Sequence, residues 1–267
     1  MKKGIMFLDL EVENNEYYGS IASPRHPDNY VVAEGHAIDY EPYQGKVEGS
    51  YFRSKNEAKN WLSIPEDVWL LVGHNLSFEL DWIYEEHYEE LRDFINRGGR
   101  LWCTQLAEYR LSRQQHLYPS LNEVAVKYGG NVKVDAVALM WEQGKLTSEI
   151  PKDLLMDYLL GTPEMEGDIG NTRLAFYGQW QEATERGMLK AILEQNNALL
   201  YNSVCMSNGL HVDTEVAQAN LLSLKERLSD VETDLYNART EAGMSTDGNL
   251  AFNMGSSYHK SAWIYGG

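Results

Sequence analysis

Cysteine is scarce in this sequence, with Cys103 and Cys205 the only two among 267 residues. Two cysteines cannot build a disulfide framework, and they lack the partner spacing of a zinc site, so we expect both to be reduced and structural. The chain also lacks an apolar run long enough to span a bilayer and a charged-then-apolar leader after Met1. These absences predict a soluble, cytoplasmic protein with no membrane partner.

Basic residues are few as well: 23 Lys and Arg face 40 Asp and Glu, which gives a formal net charge of −17. Such a balance argues against a protein that holds duplex DNA by broad neutralisation of its phosphates. Binding of a polyanion would then need a small site charged by metal ions, or the help of a basic partner.

The apolar pattern divides the chain into two parts. With 43% apolar residues, 267 residues can fill one large domain, or a domain of typical size with a helical appendage. Strand and helix patterns alternate up to residues 179–187, and helical periodicity then continues through a long amphipathic segment at residues 214–240. We expect an α/β domain followed by a mostly helical tail.

The first strand pattern carries two carboxylates. Residues i and i+2 of a strand point to the same face, so Asp9 and Glu11 in the sequence Phe7-Leu8-Asp9-Leu10-Glu11 stand side by side. Adjacent buried carboxylates repel each other unless a cation lies between them, and this favours a divalent metal site. The alternative is a pair of solvated residues near a strand end.

A third carboxylate follows another strand. Residues 68–73 form an almost continuous apolar run, typical of a strand covered on both faces, and a helix is expected to begin within residues 74–83. Glu79 would then lie at the junction, where ligands bind in open α/β sheets. His74 in the same segment is expected to be a hydrogen-bonded histidine at the strand end.

The order of these residues resembles three motifs of a known family. Asp9-x-Glu11 comes first, residues 74–79 second, and Tyr158 with Asp168 third. This order resembles that of the DEDD-type 3′–5′ exonucleases of ribonuclease H-like fold. More narrowly, it is similar to the proofreading domain of bacteriophage family A DNA polymerases.

Three linking segments add to the resemblance, which covers most of residues 1–180. They are residues 101–104, where Cys103 replaces the family's aspartate, residues 120–129, similar to the family's Ser-Leu helix, and residues 148–151, similar to the lead-in to the third motif. The tail is similar to the start of a polymerase thumb. The tail segments that carry this similarity are residues 195–213, the long helix, residues 252–257 and residues 265–267.

The resemblance implies an α/β fold with a ribonuclease H-like mixed sheet flanked by helices and a C-terminal, mostly helical extension. Residues 1–180 would be the exonuclease domain and residues 181–267 the thumb-like extension. The implied activity is a 3′–5′ exonuclease, a phosphodiester hydrolase that proofreads single-stranded or frayed DNA 3′ ends with two Mg²⁺ or Mn²⁺ ions. The implied partner is a polymerase domain or subunit, in a host cell cytoplasm if a phage encodes it.

The resemblance also implies roles for individual residues. The four metal ligands would be Asp9, which bridges both ions, Glu11, Glu79 and Asp168. Tyr158 would orient or deprotonate the attacking water, Asn75 would position the terminal nucleotide unless it caps the next helix, and the backbone of Leu10 would support the terminal base. The stacking candidates for a frayed end, each also a candidate for the core, are Trp82, Trp102 and Tyr109.

Two departures from the family pattern affect these roles. The family has aspartate in its second motif, whereas this chain offers Glu79 and, two residues later, Asp81; we favour Glu79. The third motif places Tyr and Asp one turn apart on one helix, but residues 162–167 separate Tyr158 from Asp168 here. We expect these six residues to loop out beside the site. Two other functions remain open, a 3′–5′ exoribonuclease and a catalytically silent scaffold of a split polymerase.

Overall fold

The structure is a computed structural model that describes residues 3–132, 136–241, 253 and 255–265. The chain divides into two compact units, Met1–Gly209 and Leu210–Gly267, which are described separately. Across the described residues, none of the helices combines the length and apolar character that crossing a membrane requires.

A five-stranded mixed sheet forms the centre of the first unit, in the spatial order β5-β4-β1-β6-β7. β1 pairs with β4 in antiparallel and with β6 in parallel orientation. A small separate hairpin, β2 and β3, follows β1 in the chain. The strands are β1 (Gly4–Val12), β2 (Glu16–Tyr17), β3 (Ser20–Ile21), β4 (Val31–Asp39), β5 (Glu48–Tyr51), β6 (Val68–Gly73) and β7 (Arg100–Cys103).

Among the described residues of the first unit, nine α-helices pack around this sheet and against one another. They are α1 (Ser77–Glu86), α2 (Tyr88–Asn96), α3 (Thr104–Leu111), α4 (Leu121–Lys127), α5 (Ala136–Glu142), α6 (Lys152–Leu160), α7 (Asp168–Glu185), α8 (Leu189–Asn196) and α9 (Ala198–Asn208). α7 contacts β1, β4 and β6, and α6 lies against β4 and β5. α8 packs on β7, while α9 packs on α1. The predicted strands at residues 7–11 and 68–73 are confirmed.

The first unit extends beyond the boundary expected from the sequence. α7 runs through position 180 to Glu185, and the helical pattern that follows is interrupted at Gly187 and Asn197 to give α8 and α9. These two helices bury Ile192 and Leu199 in the core of the first unit. A functional division near residue 180 stays a prediction.

The second unit contains α10 (Thr214–Glu241) and α11 (Ser257–Tyr265). Asp213 caps the start of α10, because its Oδ1 accepts the backbone N–H of Val216 at 3.0 Å. Along α10 an apolar stripe recurs every three or four residues and is more than half exposed: Leu221, Leu224, Leu228 and Val231. In the two C-terminal segments of the thumb-like pattern, Phe252, Met254, Gly266 and Gly267 lie outside the described residues.

Candidate metal centre

Three carboxylates from distant parts of the chain meet beside the centre of the sheet. Asp9 and Glu11 come from β1, and Asp168 is the first residue of α7. One carboxylate oxygen of each lies within 4.8 Å of the others. Glu11 is 7% exposed and Asp168 6% exposed, whereas Asp9 is half-buried.

A glycine in the neighbouring strand permits this meeting. Asp9 pairs with Gly35 of β4, and a Cβ at Gly35 would lie 2.8 Å from Leu159 of α6 and 3.1 Å from Ile169 of α7. A larger residue would force the side chains of Leu159 and Ile169 to shift. Gly35 therefore lets α7 begin directly beside Asp9, and the sequence pattern did not single it out.

Glu79 is a further carboxylate near the cluster of three, close enough for the charges of Asp9 and Asp168 to act on it, and is 2% exposed. It lies in the first turn of α1, just after β6, as the strand-to-helix pattern predicts. Burial, together with the negative charges of Asp9 and Asp168, raises its pKa well above the ordinary value for glutamate. Its Oε2 atom is buried and has no hydrogen-bond partner among the described residues.

The donor set fits divalent cations. The three clustered carboxylates are costly to bury without a cation, and the Glu79 oxygen that has no hydrogen-bond partner among the described residues is of the type that a hard metal ion binds. Carboxylate oxygens without sulfur or imidazole favour Mg²⁺ or Mn²⁺ over softer metals.

Asp81, the alternative to Glu79, is engaged elsewhere. Its two oxygens accept hydrogen bonds from the guanidinium of Arg25 at 2.9 and 2.7 Å, and Arg25 also contacts Glu85 at 2.9 Å. This ion pair ties the segment after β1 to α1. The geometry thus favours Glu79 over Asp81 as a ligand, a role that we propose below.

The six residues before Asp168 form a closed loop. The backbone N–H of Thr162 donates to the carbonyl of Met165 at 2.8 Å, and Asn131 accepts the N–H of Glu166 at 3.0 Å. α6 and α7 are consequently separate helices and do not form the single helix of the family's third motif. The expectation that residues 162–167 loop out agrees with this arrangement.

Tyr158 lies near the end of α6 and is half-buried. Its ring meets Trp141 edge-on, with ring centroids 6.1 Å apart. It also lines a cavity of about 150 Å³ with Val137 and Met165. The role of Tyr158 toward a water molecule stays a prediction.

His74 is a structural residue. Its Nε2–H donates to the carbonyl of Pro119 at 3.1 Å, and its Nδ1 lies 2.8 Å from the hydroxyl of Thr104. Burial lowers its pKa to about 4, so the ring is neutral at physiological pH. The neighbouring Asn75 has a left-handed φ of 56° and accepts a hydrogen bond from the Ser77 hydroxyl, without capping α1.

Two of the aromatic stacking candidates are core residues. Trp82 and Trp102 are both fully buried, and the indole N–H of Trp102 donates to Gln179 at 3.2 Å. Neither can stack on a base, so a stacking role for these two residues is wrong. Tyr109 is half-buried. The alternative that the tryptophans belong to the core holds, because Trp102 packs against Phe176 and Trp180 of α7 with ring centroids 5.5 and 5.3 Å apart, and α1, which carries Trp82, packs on α9.

The cysteine that replaces the family's aspartate also has a structural position. Cys103 ends β7 and caps α3, where its Sγ accepts the N–H of Leu106 at 3.5 Å. It is a buried free thiol, whereas Cys205 is exposed. Burial raises the pKa of the Cys103 thiol, so the free thiol stays protonated.

No protein-family model and no curated protein matches the sequence. Three solved structures of NrnC from Brucella melitensis are similar to it at 12–13% identity. The structure described as NrnC alone has a TM-score of 0.52 over 77% of this chain and 85% of that chain. The structure with bound Mg²⁺ has a TM-score of 0.51 and covers 77% of this chain and 86% of that chain. The structure bound to pGG also has a TM-score of 0.51 and covers 77% of this chain and 85% of that chain. This similarity and the mixed five-stranded sheet confirm the predicted α/β class: the chain has a ribonuclease H-like fold.

Proposed function

We propose that this protein is a metal-dependent 3′–5′ exonuclease that hydrolyses phosphodiester bonds at single-stranded or frayed DNA 3′ ends. One observation carries the proposal: Asp9, Glu11 and Asp168 converge, and the buried Glu79 beside them has an oxygen without a partner among the described residues. This donor set suits two Mg²⁺ or Mn²⁺ ions. The ribonuclease H-like fold of the chain supports the same activity.

Each carboxylate of the site has a proposed role toward the metal ions. Asp9 would bind both ions, Glu11 and Asp168 would complete their ligand sets, and Glu79 would act on the second ion directly or through water. When bound, such a pair supplies charge stabilisation for attack of water on phosphorus and for the departing 3′ oxygen. The burial of the carboxylates keeps bulk water from screening this charge.

Three further residues would act on the water and on the nucleotide. Tyr158 would orient the attacking water, and the exposed Asn75 would position the terminal nucleotide. Leu10, between the two carboxylates of β1, would support the terminal base through its backbone because its side chain is 5% exposed and belongs to the core.

DNA is the proposed substrate, and RNA is the alternative. One structural neighbour is described as bound to pGG, which supports a nucleic-acid ligand for this fold. The low density of basic residues in the chain supports action on a single-stranded end, since duplex binding would need broad neutralisation of phosphates.

A polymerase domain or subunit is the proposed partner. The apolar stripe of α10, which includes Leu224 and Leu228 at 59% and 58% exposure, supports a partner chain that covers it. Wild-type protein should co-purify with a polymerase chain from its source cells, and a Leu224→Glu/Leu228→Glu variant should not. Co-purification that the double substitution leaves unchanged would contradict this assignment.

A nuclease assay on matched DNA and RNA oligonucleotides tests the activity. With 5′-labelled single strands and Mg²⁺ or Mn²⁺, products should shorten stepwise from the 3′ end, and EDTA should stop the reaction. Asp9→Asn should lower the rate by about 1,000-fold or more, since metal catalysis supplies several kcal/mol. Asp81→Asn serves as the matched control and should keep most of the activity.

Each contrary result selects an alternative. Wild-type protein that shortens neither strand with either metal would favour the silent scaffold. Degradation of the RNA strand alone would establish an exoribonuclease. Equal losses in Asp9→Asn and Asp81→Asn would contradict the assignment of the metal centre.

A further inference from the structure

The hairpin that follows β1 presents an unusually exposed aromatic residue. β2 and β3 pair through Tyr17 and Ser20, which leaves Tyr18 and Gly19 as a two-residue turn. Tyr18 is 94% exposed. A large aromatic ring held almost wholly in water makes no contribution to the core and is accessible to a ligand.

The backbone of this turn is unfavourable for tyrosine. φ is +49° at Tyr18 and +84° at Gly19, and positive φ at both central residues is the mark of a type I′ turn. Asn-Gly is the preferred sequence for such a turn, whereas a bulky side chain in the left-handed region is strained. The chain keeps tyrosine at a position where asparagine would fold more easily, and such outliers concentrate at functional sites.

The segment that contains the hairpin is closed on itself at its base and is bound to α1. At its base, Asn29 accepts hydrogen bonds from the backbone N–H of Asn15 at 3.1 Å and from its side-chain amide at 2.9 Å, four residues beyond Glu11. On the other side, Arg25 binds Asp81, two residues from Glu79 in α1. The segment thus bridges the two elements that carry metal ligands.

The aromatic ring is braced from within the segment. Tyr17 meets Tyr18 edge-on with centroids 4.7 Å apart, and His26 meets Tyr17 at 6.1 Å. Lys55 brings a positive charge to the same segment, since its ammonium donates to the carbonyl of Pro27 at 3.0 Å. An aromatic ring held in place suits stacking on the base of a single-stranded nucleotide, and a nearby cation suits binding of its phosphate.

We propose that Tyr18 stacks on a nucleobase of the single strand whose 3′ end occupies the metal centre. Tyr18 follows Glu11 by seven residues, so its Cα lies at most ~25 Å from that of Glu11, within reach of the same strand. Stacking tolerates any base and needs few positive charges, which suits a chain of net charge −17. This inference rests on the proposed function in that it takes the ligand of the site to be a nucleic acid.

Tyr18→Asn tests the proposal without endangering the fold, because asparagine suits the turn better than tyrosine. Binding of a fluorescent single-stranded oligonucleotide is measured by anisotropy with Ca²⁺ in place of Mg²⁺, after a gel has confirmed that the strand stays intact. Loss of one stacked base should weaken binding by about 5- to 150-fold. The melting temperature of Tyr18→Asn should be equal to or above that of the wild type.

Two further variants complete the test. Tyr18→Phe keeps the ring and should bind like the wild type. Tyr40→Asn makes the same change at a 45% exposed tyrosine beside Gly4, at the opposite end of the sheet, and should also leave binding unchanged. In the nuclease assay, Tyr18→Asn should raise KM far more than it lowers kcat.

The outcomes separate this proposal from the proposed function. Hydrolysis by the wild type together with equal binding by wild type and Tyr18→Asn would overturn the hairpin's role and leave the nuclease in place. Weaker binding by Tyr18→Asn in a protein that hydrolyses nothing would support the hairpin and reject the nuclease. No binding of any oligonucleotide by the wild type would overturn the hairpin's role.

Discussion

Arg173 of α7 forms a bidentate ion pair with Asp39 at the end of β4. Its Nε donates to Asp39 Oδ2 at 2.9 Å, its Nη2 contacts Oδ1, and both side chains are buried. The hydroxyl of Tyr177 donates to the same carboxylate at 2.8 Å. Because α7 begins at Asp168, this pair holds the helix that brings the third carboxylate to β1.

Removal of the arginine should therefore destabilise the protein strongly. Arg173→Met leaves Asp39 buried without its countercharge, which costs about 3–5 kcal/mol. Chemical denaturation should show this loss in the free energy of unfolding. Lys190→Met is the control, because Lys190 is 88% exposed and lies 3.6 Å from Glu194; it should change stability by less than about 0.5 kcal/mol. Similar stabilities of the two variants would contradict the importance of the buried pair.

The same ion pair should make the free energy of unfolding depend on pH in the acidic range. Burial alone would raise the pKa of Asp39, but hydrogen bonds from Arg173, Tyr177 and the Gly45 amide outweigh burial and hold the pKa below its ordinary value. A carboxyl with a lower pKa in the folded state stabilises the protein above its unfolded pKa, about 3.9. That contribution is lost as pH falls toward the folded pKa.

Urea denaturation of wild type and Asp39→Asn between pH 7 and pH 3 measures this effect. The difference in unfolding free energy should be constant down to about pH 5 and should shrink below about pH 4. If Asp39→Asn is too unstable to measure, Tyr177→Phe, which removes one hydrogen bond to the carboxylate, should show a smaller difference with the same trend. A difference that stays constant down to pH 3 argues against a lowered pKa.

Metal binding should stabilise the protein through Glu79 but not through Asp81. An ion at 100 times its dissociation constant adds about 2.7 kcal/mol, which corresponds to a rise of about 5–10 °C in Tm. Differential scanning fluorimetry with Mn²⁺ should show this rise for the wild type and for Asp81→Asn. Glu79→Gln should lose most of it. A full rise in Glu79→Gln with none in Asp81→Asn would make Asp81 the ligand.

The space at Gly35 should be needed for the site. Gly35→Ala forces a Cβ against Leu159 and Ile169, and overpacking of this kind costs about 1–3 kcal/mol. It should also reduce the rise in Tm caused by Mn²⁺, because the start of α7 moves away from Asp9. Leu159→Ala makes room on the other side of the contact.

A double-mutant cycle with these two substitutions gives the control. The destabilisation of Gly35→Ala/Leu159→Ala should be smaller than the sum of the two single effects, since each relieves the other. Simple additivity would show that the close approach at Gly35 does not position α6.

Much of the candidate site could be predicted from local sequence. Alternation along β1 places Asp9 and Glu11 on one face, and the apolar run at residues 68–73 followed by a helix pattern places Glu79 at a strand end. The order of the acidic residues predicted the ribonuclease H-like fold, which the sheet and its structural neighbours confirm. These side-chain positions can be predicted from the sequence because side-chain direction in strands and helices repeats over a few residues.

Only the tertiary structure decided which side chains meet. Whether Asp168 reaches β1 depends on Gly35 and on the ion pair between Asp39 and Arg173, contacts between residues more than 100 positions apart. That the fully buried Trp102 belongs to the core depends on how α7 covers the sheet. The exposure of Tyr18 likewise depends on a turn whose backbone the residue itself disfavours, so local preference could not reveal it. Local patterns set the direction of each side chain, whereas long-range packing selects its partners.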